Sequence, residues 1–185
     1  MNVPYKQQVK DSRGFTIIEV VLVLAIAGLI FLMVFIALPA LQKGQRDAQR
    51  KEDVSRVATQ LQNSSSALRG KIPTTQSELN AFTKGYLVAS GTTNTAGCAD
   101  TQYSDPSGSF AGGGALAACT GSDDGYRISQ NISITGVPAT GEIWYSNGFK
   151  CSTTVAGDVQ TGSTRNYTLR VKLENQSAAY CFDGQ

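Results

Sequence analysis

A chain of 185 residues has room for one domain of ordinary size and an appended segment. Only 16% of its residues are charged, the net charge is +2 and histidine is absent. The last point excludes histidine-based acid–base and nucleophile arrangements and histidine-ligated zinc. Gly, Ser and Thr fill 53 positions, so the surface is small and polar, and no long basic run points to nucleic acid.

Residues 1–14, MNVPYKQQVKDSRG, are polar, and Pro4 and Gly14 discourage a continuous helix; they read as a cytoplasmic leader. Residues 20–41 follow without a charge. As a helix they span ~33 Å, matching a bilayer core of ~30 Å. The run is apolar all round and too long for the ~7–15-residue apolar core of a signal peptide, so residues 15–41 are expected to form a membrane-spanning helix.

Past Leu41 the residues turn charged, yet Val54, Val57, Ala58, Leu61 and Leu68 keep the i, i+3, i+4, i+7 spacing of an amphipathic helix. One helix is therefore expected from about Phe15 to about Leu68, its second half leaning on the rest of the chain. The charges among Lys43, Arg46, Asp47, Arg50, Lys51, Glu52, Asp53 and Arg56 suit i, i+4 pairs on a helix surface. Thr75 and Glu78 have capping-box spacing and start a short helix that Gly85 would end. Residues 89–125 show no apolar period and read as a long loop. Strand-like pieces at 126–134, 142–145, 167–174 and 179–182, separated by turn residues, predict an antiparallel sheet. The fold class is α+β: a long N-terminal helix, membrane-spanning then amphipathic, packed on a C-terminal antiparallel β-sheet, with residues 42–185 as an extracytoplasmic globular domain.

Cys98, Cys119, Cys151 and Cys181 all follow the apolar run, and none has zinc-ribbon or redox C-x-x-C spacing. Two disulfides are expected, which requires an oxidising compartment. Of the three possible pairings, Cys98 with Cys119 and Cys151 with Cys181 is favoured because each closes a region otherwise short of order. The basic residues pull the other way: Lys6, Lys10 and Arg13 precede the apolar run, but Lys43, Arg46, Arg50, Lys51 and Arg56 follow it, against the positive-inside tendency. Long domains translocate largely regardless of charge, and the cysteines place residues 42–185 outside the cytoplasm.

The most informative stretch is Ser12-Arg13-Gly14-Phe15-Thr16-Ile17-Ile18-Glu19-Val20-Val21. A basic residue and a glycine precede an apolar helix bearing one carboxylate near its start. A charge inside a membrane span is costly and usually partnered, although a carboxylate at headgroup depth also benefits from the helix dipole. Gly14-Phe15-Thr16-Ile17-Ile18-Glu19-Val20, the long apolar helix and a Gly/Ser/Thr-rich domain with late cysteines resemble the type IV pilin family, which includes major and minor pilins and the pseudopilins of type II secretion and DNA uptake. The resemblance is specific over residues 13–62 and architectural beyond. It implies cleavage between Gly14 and Phe15 by a membrane aspartyl prepilin peptidase, N-methylation of Phe15, and pairing of Glu19 with the Phe15 amine of an adjacent subunit during filament assembly. Gly28 falls where many members have a helix-weakening glycine, and Pro39 resembles the family's mid-helix proline.

The resemblance thus implies a structural subunit of a type IV pilus or pilus-like filament: a single-pass inner-membrane protein that reaches the cell surface on assembly. Its implied partners are copies of itself, the membrane, the prepilin peptidase and the assembly machinery. A pseudopilin of a secretion or DNA-uptake machine is the alternative within the family. A membrane-anchored binding module that never polymerises is the alternative outside it, but gives no reason for Gly14-Phe15 and Glu19. No enzyme activity, cofactor or metal is expected. Asp123, Asp124 and Glu142 are the acidic positions considered for chemistry, and no D-x-D-x-D-G calcium loop surrounds them. Nucleic acid is a possible but not indicated partner: Lys84, Arg127, Lys150, Arg165, Arg170 and Lys172 would have to cluster, and acids balance them.

Overall fold

The computed structural model describes residues 14–88, 97–107 and 125–185. The chain divides into two units, Met1–Leu41 and Gln42–Gln185. Helix α1, Ile17–Ala67, runs through both and continues past Pro39. In the first unit its side chains are exposed almost throughout, and this segment is long and apolar enough to cross a membrane.

In the second unit the buried residues of α1 are Asp47, Arg50, Asp53, Val54, Val57, Ala58, Leu61 and Ser64. They recur every three or four residues, which places them along one side of the helix. The apolar members are those the spacing predicts, except that Leu68 is 56% exposed. It lies beyond the helix end, where Arg69 and Gly70 take φ of 57° and 85° and the Gly70 N–H reaches the Ser65 carbonyl at 2.7 Å. A left-handed turn of this kind caps the last carbonyls and carries the chain off the stripe.

Helix α2 spans Gln76–Tyr86 with Thr75 as its N-cap. The Glu78 N–H donates to the Thr75 hydroxyl at 3.3 Å, while the Glu78 carboxylate accepts from the Thr74 N–H at 2.8 Å. The helix outlasts Gly85 by one residue, closing with the Leu87 N–H on the Thr83 carbonyl at 2.9 Å.

Four strands, β1 (Arg127–Gln130), β2 (Glu142–Asn147), β5 (Tyr167–Lys172) and β6 (Ala179–Gly184), form a sheet in the order β1-β2-β5-β6. Strands β3 (Phe149–Cys151) and β4 (Val159–Thr161) pair separately. The β2–β5 and β5–β6 pairs are antiparallel as expected, but β1 and β2 run parallel. The strand expected over 126–134 stops at Gln130. Residues 131–141 then return to start β2 alongside β1, a crossover that a tight hairpin cannot provide.

Ile143 and Tyr145 of β2 and Tyr167, Leu169 and Val171 of β5 join Val54, Val57, Ala58 and Leu61 of α1 in one core with Leu79 and Phe82 of α2. The opposite face of β5 is buried too, with Thr168 and Arg170 both fully enclosed. The crossover touches it through the Arg170 guanidinium, which donates to the Ser133 carbonyl at 2.7 Å, and joins β4 through the Val159 N–H on the Ile134 carbonyl at 3.0 Å. The expected Cys151–Cys181 disulfide is present, with Cα atoms 5.8 Å apart, tying β3 to β6. Closing a loop of this length contributes roughly 3–4 kcal/mol on the chain-entropy account. Cys98 is buried and disulfide-bonded; Cys119, its expected partner, lies outside the described residues. The described part of the expected loop is ordered into the core: Ala99 and Tyr103 are buried, and the Ala99 N–H donates to the Tyr126 carbonyl at 3.0 Å.

Candidate functional site

The candidate site is the start of α1. Gly14 and Phe15 precede the helix, and Phe15 is 88% exposed. Among the described residues, a Cβ built on Gly14 meets nothing within 4 Å. No contact with a described residue therefore demands glycine at position 14. Thr16 stands at the N-cap. Its hydroxyl accepts from the Glu19 N–H at 3.4 Å, and the Glu19 carboxylate oxygen Oε2 accepts from the Thr16 N–H at 3.2 Å and from the Thr16 hydroxyl at 3.0 Å. This is a reciprocal capping box that satisfies backbone donors no helical carbonyl can reach. Sequence reasoning identified this spacing at Thr75 and Glu78 but missed the same T-x-x-E signal at Thr16 and Glu19.

Gly28 and Pro39 both lie within the described helix. Nothing approaches a Cβ built on Gly28, so this glycine is not required by a close contact; in a helix interior it costs about 1 kcal/mol relative to alanine.

The other concentration of charge lies in the second unit. Arg50, 1% exposed, donates to Asp105 through Nε and Nη2, both at 2.8 Å, to Asp47 through Nη1 at 3.2 Å and to Glu174 through Nη2 at 3.0 Å. Arg46 holds Glu174 bidentately at 2.8 and 2.7 Å, and Asp47 accepts from the Glu174 and Asn175 N–H groups at 2.7 and 3.0 Å. Burial pushes the Asp105 carboxyl up, but hydrogen bonds from Arg50 and Ser107 bring it below the usual range. Glu174 is lowered chiefly by its hydrogen bond from Arg46. Of the charges expected on a solvated helix surface, Glu52 and Arg56 form an exposed pair at 2.6 Å, whereas Asp47, Arg50 and Asp53 are buried. The cluster consists of ion pairs that join α1 to the segments carrying Asp105 and Glu174.

Asp53 is the weakly compensated member. It is 2% exposed, and among the described residues its Oδ2 has no hydrogen-bond partner and its one ion pair is with Arg56 at 3.6 Å. Burial pushes its carboxyl up to about 6, with Glu52 and Asp105 adding to the shift and Arg56 opposing it. The folded state therefore binds this proton more tightly than the unfolded chain, and its contribution to stability is complete below pH ~4 and lost as pH rises through about 6. Asp105 and Glu174 act with the opposite sign, losing their contribution as pH falls through their lowered values. Stability should peak at mildly acidic pH, and Asp53→Asn should raise it at pH 7.5 by about 1–2 kcal/mol and flatten the loss between pH 5 and 7. Thermal melts across pH 4–8 measure both.

Glu142 is held structurally, accepting from the Ser129 hydroxyl at 2.6 Å and the Ala139 N–H at 3.4 Å. Asp123 and Asp124 lie outside the described residues. Arg170 is fully buried, with its guanidinium 5.1 Å from the Trp144 ring centroid, so it cannot contribute to the solvent-facing basic cluster considered from sequence.

A family model described as the prokaryotic N-terminal methylation motif matches residues 9–35, covering Gly14, Phe15, Glu19 and most of the apolar run. Comparison with curated proteins and with solved structures returned no match. The capping box, the exposed apolar helix and the motif coincide over the same residues, and the match is to the prepilin-type N-terminal signal that type IV pilins and pseudopilins carry.

Proposed function

We propose that the chain is a structural subunit of a type IV pilus or pilus-like filament. Residues 1–14 are a cytoplasmic leader removed by a prepilin peptidase, residues 15–41 span the inner membrane and then form the filament core, and residues 42–185 lie outside the cytoplasm and reach the cell surface on assembly. The observation that carries the reading is an apolar helical run, exposed almost throughout residues 17–41, whose one carboxylate, Glu19, is the fifth residue after the Gly14–Phe15 junction. Such a surface is stable in lipid or against other copies of itself, and not in water. Cleavage creates an amine at Phe15, and Glu19 of a neighbouring subunit is the anion that balances it when both leave the headgroup region. Glycine at 14 fits the close approach of a peptidase, since no contact with a described residue requires it there.

Processing tests this reading. The mature chain should begin at Phe15 and carry an N-methyl group, measured as the intact mass of membrane-extracted and assembled protein. Gly14→Leu should leave unprocessed precursor in the membrane. Assembled material that retains Met1 would contradict the reading.

A further inference from the structure

We propose that Thr16 is a positioning residue for Glu19: its hydroxyl and N–H hold one carboxylate oxygen so that the other is presented to the amine of a neighbouring subunit. The proposal rests on the pairing of Glu19 with the Phe15 amine. Both hydrogen bonds from Thr16 end on Oε2, at 3.2 Å from the N–H and 3.0 Å from the hydroxyl. Oε1 has no hydrogen-bond partner among the described residues. The carboxylate is thus divided, with one oxygen engaged by its own helix and the other open to a donor from outside.

Two physical costs make this division useful. A carboxylate leaving water must replace hydrogen bonds that hydration supplied, and the Thr16 pair supplies two before any neighbour arrives. A glutamate side chain also loses rotamer freedom when it meets a fixed partner. The box has already restricted it, because Glu19 is bound through its N–H and its carboxylate to the same threonine. An approaching amine then meets an oriented acceptor, and less freedom is lost on association. Serine retains the hydroxyl chemistry. Valine keeps the branched shape of threonine, removing the hydroxyl that donates to Oε2 and accepts from the Glu19 N–H.

The test is the incorporation of full-length variants into filaments when co-expressed with wild-type chains, with cleavage and N-methylation read from intact mass. Thr16→Val should be cut and methylated normally yet incorporate roughly fivefold less, the scale of losing one helix cap. Thr16→Ser should restore incorporation, and Thr16→Val should add no further loss to Glu19→Ala. Normal incorporation of Thr16→Val beside poor incorporation of Glu19→Ala overturns the positioning role and leaves the pairing intact. Normal incorporation of both overturns the pairing as well. Failure of Thr16→Ser to restore assembly, failed cleavage of Thr16→Val, or a further loss in the double variant each assigns Thr16 a different role and overturns the proposal.

Discussion

Arg50→Ala should destabilise the globular unit by about 3–5 kcal/mol, the range for breaking a buried ion pair by removing one partner. The loss is large because the three groups that accept from Arg50 are all acids, and Asp47 and Asp105 are buried with it. Without the guanidinium, both remain in the low-dielectric seam near Asp53, which already lacks an adequate counter-charge. Against a total stability of roughly 5–15 kcal/mol for a domain, such a loss leaves much of the protein open to proteolysis. Arg50→Lys should be intermediate, because an ammonium retains the charge but cannot reproduce the two parallel bonds to Asp105. Changing both members, as in Arg50→Met with Asp105→Leu, should recover much of the loss, since the stranded carboxylate goes too. Denaturant unfolding of the full-length chain in detergent measures all three. A loss below about 1 kcal/mol for Arg50→Ala would show that the cluster is solvated and contributes little.

The parts of the fold legible in the sequence are those whose signal is local. The apolar run, the 3.6-residue stripe through Val54, Val57, Ala58 and Leu61, and the alternation in β5 each reflect one element meeting one environment. The Cys151–Cys181 bridge was expected because it closes a stretch otherwise short of order, and it is present. What the sequence concealed depends on distant partners. Asp47 and Arg50 look like part of a solvated helix face until Asp105 and Glu174, brought from elsewhere in the chain, bind them. Arg170 resembles an exposed strand residue because nothing local announces that the crossover covers its face. The parallel β1–β2 pair depends on the path of residues 131–141, which contain no regular element to mark their direction. At the junction, the family resemblance drew attention to Glu19 and its external partner, while the capping signal between Thr16 and Glu19 passed unread.

That capping box changes how the pairing of Glu19 must be tested. Glu19→Ala should be made, cleaved and retained in the membrane, because removing a charge makes insertion easier, yet it should assemble poorly. Alanine removes two things at once, however: the charge available to a neighbouring amine, and the carboxylate that completes the cap, worth about 1 kcal/mol. Loss of one member of a buried pair is the larger effect, roughly 3–5 kcal/mol, and separating them needs a side chain that caps without charge. Glutamine does this, since it serves at the third helical position of a capping box as glutamate does. Glu19→Asp, with the charge kept but its reach shortened by one methylene, should fall between wild type and alanine.

The most direct measurement is therefore the filament yield of Glu19→Gln in cells lacking the wild-type copy, with cleavage and N-methylation checked by intact mass. Pairing between Glu19 and the Phe15 amine predicts a normally processed, membrane-held subunit that forms few filaments, close to the Glu19→Ala result. Wild-type filament yield from Glu19→Gln would contradict the account, leaving Glu19 as a helix cap and the chain without its proposed basis for polymerisation.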